Sequence, residues 1–176
     1  MDLHTRDFIR IGPSPTYPGS RLEASQWLPE NLERVFAFFA DAFQLETITP
    51  PWLAFNVVTP RPIDIQTGTQ IDYRLRLHGL PMRWRSRISV WDPPYRFVDE
   101  QMHGPYRRWY HDHTFESVDG GTLCHDVVSY IVPGGKLVDR LFVRPDLKKI
   151  FAYRQQTLRG IFPDSRAYMD GQPRAM

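Results

Sequence analysis

The chain has 176 residues, 41% of them hydrophobic and 24% charged, which suits one compact domain with a real core. This excludes a disordered chain and a multidomain enzyme with its own cofactor domain. The 22 Lys and Arg against 20 Asp and Glu leave a formal net charge of +2, too little field to favour nucleic acid or an anionic membrane. Aromatic residues make up 14% of the chain, and such side chains line cores and ligand pockets alike. Cys124 is the single cysteine, so no intrachain disulfide can form and a reducing compartment is expected. Residues 1–7 lack the apolar core of a signal peptide, and no stretch reaches the roughly 18 apolar residues of a membrane span, so a cytoplasmic location is expected.

Gly12, Pro13, Pro15, Pro18 and Gly19 crowd breakers into the first twenty residues, which predicts an irregular arm over residues 1–20. A single domain is expected over 21–162, followed by a mobile polar tail over 163–176. Residues 21–28 alternate and read as a first strand. Pro29 suits the first position of a helix, and Leu32, Val35, Phe36, Phe39 and Phe43 recur at helical spacing. Leu45 and Ile48 continue into a second short helix until Pro50-Pro51 stops it. From Trp52 the period becomes two. Turn signals then predict six antiparallel strands, about residues 53–59, 69–78, 82–91, 96–103, 107–118 and 122–132. Beyond Pro133-Gly134-Gly135, a stripe through Leu147, Ile150, Phe151, Leu158, Ile161 and Phe162 predicts a long amphipathic helix over 145–162.

The alternation also assigns faces. Ile71, Tyr73, Leu75 and Leu77 point inward, as do Met82, Trp84, Ser86, Ile88 and Val90. Arg74, Arg76, Arg83, Arg85, Arg87 and Trp91 point outward. Pairing Val90 with Phe97 across the Asp92-Pro93-Pro94 turn brings Asp99 and Gln101 inward and sets Glu100 beside Arg87. A two-residue turn at Asp119-Gly120 sets Phe115 opposite Cys124, His113 opposite Asp126, His111 opposite Val128 and Trp109 opposite Tyr130. A three-residue connection at Gly104-Pro105-Tyr106 sets His111 opposite Asp99 and Trp109 opposite Gln101. Two His–Asp pairs therefore share the inner face.

The chain also resembles the SRPBCC superfamily of START-related, birch-pollen-allergen-like proteins, in its bacterial polyketide-cyclase-like branch. The resemblance rests on Trp27-Leu28-Pro29, Val35-Phe36-Ala37-Phe38-Phe39, Ile48-Thr49-Pro50-Pro51-Trp52-Leu53, and Gly104-Pro105 with Trp109, His111, His113 and Phe115. It implies an α+β helix-grip fold, a curved antiparallel sheet of about seven strands wrapped around a long C-terminal helix, with an apolar cavity between them. It implies no particular reaction, because fold does not fix function.

Tyr73, Trp84, Ser86, Asp99, Gln101, Trp109, His111, His113 and Asp126 are the expected ligand-binding residues, and His111, His113, Asp99 and Asp126 the candidates for acid–base chemistry. A carboxylate beside an imidazole fixes its tautomer and raises its proton affinity, so such pairs serve catalysis, yet buried polar groups also pair merely to fold. Two histidines at i, i+2 on a strand lack the further ligands of a zinc site, and no metal or cofactor is expected. Cys124 reads as a small core residue. The expected function is binding of a hydrophobic or amphipathic small molecule in an internal cavity. The alternatives are a cyclase, dehydratase or hydrolase using a His–Asp pair, or a protein-interaction module presenting the outer arginine face.

Overall fold

The computed structural model describes residues 7–164. Its eight-stranded antiparallel sheet runs in the order β1-β2-β8-β7-β6-β5-β4-β3. The strands are β1 (Phe8–Pro13), β2 (Ser20–Leu28), β3 (Asn56–Val57), β4 (Gln70–Leu77), β5 (Leu80–Asp92), β6 (Arg96–His103), β7 (Arg108–Val118) and β8 (Gly121–Ile131). Two short helices, α1 (Leu32–Ala40) and α2 (Gln44–Thr47), follow β2. After β8 the chain forms α3 (Gly135–Val138), a π-helical turn (Asp139–Val143) and the long α4 (Arg144–Ile161). This is the expected helix-grip arrangement, with eight strands rather than about seven.

Four expectations for the elements are corrected. Part of the irregular arm is the edge strand β1, which pairs Ile9 with Ala24 and Ile11 with Leu22 and packs both isoleucines on the core; the breakers lie after the short alternating run Phe8-Ile9-Arg10-Ile11 rather than through it. The tail beyond Asp164 lies outside the described residues. Helix α1 starts after Asn31, whose side chain accepts from Arg34 N at 2.8 Å, so the cap sits two residues beyond Pro29. Pro50-Pro51 initiates a 3-10 turn over Pro51–Leu53 that ends at Ala54 with φ 41°, which leaves only Asn56–Val57 of the strand expected over 53–59. The β4–β5 turn is His78-Gly79, both at positive φ, with Leu77 opposite Leu80, so β5 begins two residues before Met82.

The β7–β8 register holds from Val118–Gly121 to Trp109–Tyr130, as the Asp119-Gly120 turn requires; both residues have positive φ, the signature of a type I′ hairpin. The β5–β6 register is as expected from Ser86–Gln101 to Ile88–Asp99, but Ser89 bulges out. Beyond it Val90 pairs with Val98 and Trp91 with Phe97. A bulge transfers the following residue to the other face, so Trp91, not Val90, turns inward onto Phe36 and Phe97.

Helix α4 crosses the inner face of the sheet. Phe151 joins Leu22, Val128 and Tyr130, while Leu158 and Phe162 join Leu28, Val35, Phe36, Phe97 and Phe115. Its rotation is fixed by polar contacts to β2: Gln26 Nε2 donates to Gln155 O at 2.8 Å, and Gln155 Nε2 donates to Ser25 O at 2.9 Å. Its approach is pinned by buried Asp139, which accepts from Ser20 Oγ at 2.6 Å and from Arg144 Nε at 2.8 Å.

Phe115 is the aromatic keystone of one end of the core, with ring centroids 5.5 Å from Phe36, 5.1 Å from Phe39 and 6.0 Å from Phe97. Truncating such a side chain leaves a cavity that packed neighbours fill only in part. Phe115→Ala is therefore expected to lower unfolding free energy by about 3–5 kcal/mol in urea titration followed by circular dichroism.

Candidate functional site

Between the sheet and α4 lies a cavity of about 220 Å³. Its walls are mostly apolar: Ile71, Tyr73, Leu75 and Leu77 from β4, Trp84 and Ile88 from β5, Phe39 from α1, and Leu147, Ile150 and Phe151 from α4. The strand walls follow directly from period-two alternation.

The polar part of the cavity is a ring of two carboxylates and two imidazoles. His111 donates from Nε2 to Asp126 Oδ1 at 2.9 Å, and His113 donates from Nε2 to Asp99 Oδ2 at 3.1 Å. His113 Nδ1 also lies 2.7 Å from Asp126 Oδ1, out of line for a hydrogen bond, and His111 Nδ1 lies 3.6 Å from Asp99 Oδ2. Each carboxylate thus faces both histidines. The sequence register places these residues correctly, but the hydrogen bonds run along the diagonals of the ladder rather than between the directly opposed residues. The two imidazole rings are tilted by 34° with centroids 3.7 Å apart, and His113 stacks on Phe97 at 4.1 Å. Trp84 Nε1 donates to Ser86 Oγ at 3.0 Å, and Ser86 Oγ donates to Asp99 Oδ1 at 3.4 Å, extending the network into β5.

Of the expected residues, Tyr73, Trp84, Ser86, Asp99, Trp109, His111 and His113 line the cavity. Asp126 stands behind the imidazoles, where its carboxylate holds them. Gln101 is corrected: the β6–β7 ladder ends at Glu100–Tyr110, and the Gln101 amide instead donates to Tyr106 O at 2.7 Å and accepts from Tyr106 N at 3.2 Å. It clamps the connection between β6 and β7, which has four residues where three were expected.

Arg154 of α4 was not foreseen. It is 8% exposed, lines the cavity, and places Nη2 3.8 Å from Asp126 Oδ1. The signal was present: residue 154 lies three after Phe151 and four before Leu158, so a guanidinium occupies a core position in the apolar stripe.

Charge explains how this ring stays inside. Burial opposes ionisation of Asp126, but Arg154 and the two histidines outweigh it and hold the carboxyl well below the usual carboxylate range. Burial likewise opposes ionisation of Asp99, and His113 and His111 outweigh it, so that Asp99 too is lowered. Burial disfavours protonated His113, yet Asp126 and Asp99 prevail and raise its proton affinity. For His111, burial and the adjacent His113 dominate and lower it. Together these effects favour ionised carboxyls at Asp99 and Asp126 and give His113 the greater proton affinity of the two imidazoles.

Donor atoms of Asp99, His111 and His113 lie within 4.8 Å of one another, a spacing compatible with a cation. Both imidazoles already pair with carboxylates through Nε2, however, and the Arg154 guanidinium lies 3.8 Å from Asp126, so this donor set does not call for a metal. Burial pushes the Cys124 thiol up, away from the thiolate a nucleophile requires. On the outer face, Asp72 takes Arg85 through two contacts at 2.7 and 2.9 Å, and Glu100 takes Arg87 at 3.0 Å.

Residues 28–157 match the sequence profile of the family described as polyketide cyclase / dehydrase and lipid transport. The chain belongs to this family. No curated protein matches it in sequence. Among solved structures, protein Ms6760 from Mycobacterium smegmatis superposes with a TM-score of 0.64 at 17% identity, over 88% of this chain and 97% of that one. Protein CV1439 from Chromobacterium violaceum gives 0.66 at 14% identity, over 82% and 98%. Ara h 8.0201 gives 0.61 at 17% identity, over 81% and 96%. These likenesses show the shared fold.

The lowered carboxyls give a signed pH prediction. A carboxyl whose folded value is depressed stabilises the fold above its unfolded value of about 3.9, and that stabilisation is lost as pH falls through the folded value. Asp126→Asn should be less stable than the parent at pH 7 by about 3–5 kcal/mol, since His113 and Arg154 lose a buried counter-charge. Thermal denaturation between about pH 5 and pH 2 should show a shallower acid loss for the variant than for the parent.

Proposed function

We propose that this chain is a cytoplasmic binding protein for a hydrophobic or amphipathic small molecule, held in the cavity between the sheet and α4. The observation that carries the reading is a cavity of about 220 Å³ with apolar walls that ends on a polar ring of paired histidines and carboxylates. Apolar walls supply affinity, and a few placed polar groups fix orientation. The family description, which includes lipid transport, supports the same reading. No helix among the described residues is long and apolar enough to cross a membrane, which agrees with a protein that meets its ligand as a separate molecule.

A second reading, favoured by one observation, is a cyclase, dehydratase or hydrolase. The cavity lowers the proton affinity of His111, through burial and His113, and raises that of His113 beside it, through Asp126 and Asp99. Environments that push two titratable groups apart define a base and an acid. In this reading His111 takes a proton from the substrate, and the imidazolium of His113 donates toward a developing oxyanion.

Native mass spectrometry of the purified protein, with solvent extraction of any retained molecule, tests the first reading, and conversion of that molecule on incubation tests the second. Binding of the neutral fluorophore N-phenyl-1-naphthylamine should be lost in Leu75→Trp, which fills the apolar wall. His113→Gln and Asp126→Asn should weaken the retained ligand by about tenfold or more while circular dichroism remains that of a folded protein. Unaltered binding in all three variants would remove the cavity as the site.

A further inference from the structure

Arg154 carries a feature that the charge balance leaves unexplained. Its charge is matched by Asp126 at 3.8 Å, but that separation is too long for a hydrogen bond. Among the described residues its guanidinium makes no hydrogen bond, and Nε is buried without a partner. It sits over the rings of Phe39, at 5.1 Å, and Phe151, at 5.8 Å, both of which line the cavity. A guanidinium offers five donors and no acceptor. Leaving them unmade in an apolar interior is costly, whereas each imidazole of the cluster makes a hydrogen bond to a carboxylate through Nε2.

What Arg154 lacks is therefore acceptors, not counter-charge. A ligand carboxylate would supply acceptors but add a third negative charge to the sum over a buried cluster that already holds the Asp99 and Asp126 carboxylates, at high cost in a low-dielectric cavity. A carbonyl oxygen supplies two lone pairs and leaves the sum unchanged.

We infer that Arg154 anchors the ligand by donating to an uncharged carbonyl oxygen, so the cavity selects an apolar ring or chain bearing a ketone or ester over its hydrocarbon and carboxylate counterparts. This inference rests on the cavity being the ligand site. The apolar walls set by β4, β5 and α4 take the hydrocarbon part, and Arg154 marks the polar end beside Asp126 and His113.

The test uses three probes with one skeleton: naphthalene, 2-acetylnaphthalene and 2-naphthoate. Each is titrated into the full chain with quenching of tryptophan fluorescence, to which Trp84 and Trp109 in the cavity wall contribute. The ketone should bind about tenfold more tightly than naphthalene, the value of one hydrogen bond to a charged donor, and the carboxylate more weakly than the ketone. Arg154→Met should erase the ketone preference while naphthalene still binds. The infrared carbonyl band of 2-acetylnaphthalene bound to the unaltered protein should lie below its position in hydrocarbon solvent, a readout that does not depend on any variant folding. Naphthalene and ketone binding alike, the carboxylate binding best, or a carbonyl band at its hydrocarbon position would each overturn the inference while leaving the cavity as a site. Failure of all three probes to bind would overturn the cavity reading and this inference together.

Discussion

Two carboxylates cannot be held inside an apolar interior unless positive charge reaches them at close range. In this protein that requirement is met within a cluster of five groups from three strands and one helix: Asp99 of β6, His111 and His113 of β7, Asp126 of β8, and Arg154 of α4. No single element could satisfy it. The ring forms only if β7 pairs with both neighbours in the observed register and α4 presents residue 154 to the sheet. The condition for burying the charges is thus also a condition for assembling the domain.

The same ring divides the interior into unlike parts. Toward α1, Phe36 meets Phe97 and Phe115 edge to face, Phe39 tilts against Phe115, and the four rings fill space. Between β4, β5 and the middle of α4 the residues stand back from one another, and the cavity remains. Phe97 belongs to both parts, stacking on His113 on one side and on Phe115 on the other, so the polar network is braced by the aromatic core. Rigid support of this kind holds a binding site in a defined geometry rather than letting it collapse around its own charges.

Pairing sets what the site can do. Two imidazoles of unlike proton affinity and a guanidinium without a hydrogen-bond partner among the described residues lie along one cavity. In the proposed reading, an apolar molecule with one polar end meets complementary groups there. Acid–base chemistry and orientation of a carrier's cargo both draw on this arrangement, and the family includes proteins described by each role.

Local pattern made much of this legible in the sequence. Alternation along β4 and β7 assigned the inner faces, and Asp119-Gly120 fixed the β7–β8 register, because side-chain direction in a strand and the geometry of a two-residue turn depend on neighbouring residues alone. That placed His111, His113, Asp99 and Asp126 together. Other features were settled at longer range. The Ser89 bulge that turns Trp91 inward answers to the fit of β5 against β6, and the Gln101 amide is taken up by the backbone of Tyr106 in the connection that follows. The rotation of α4 that brings Arg154 to Asp126 is set by Gln26 and Gln155, 129 residues apart. The sequence by itself determined which side chains share a face, since that follows from backbone periodicity. Only the tertiary structure decided which charges meet and where space stays open, since ion-pair distance and packing arise when elements remote in the chain come together.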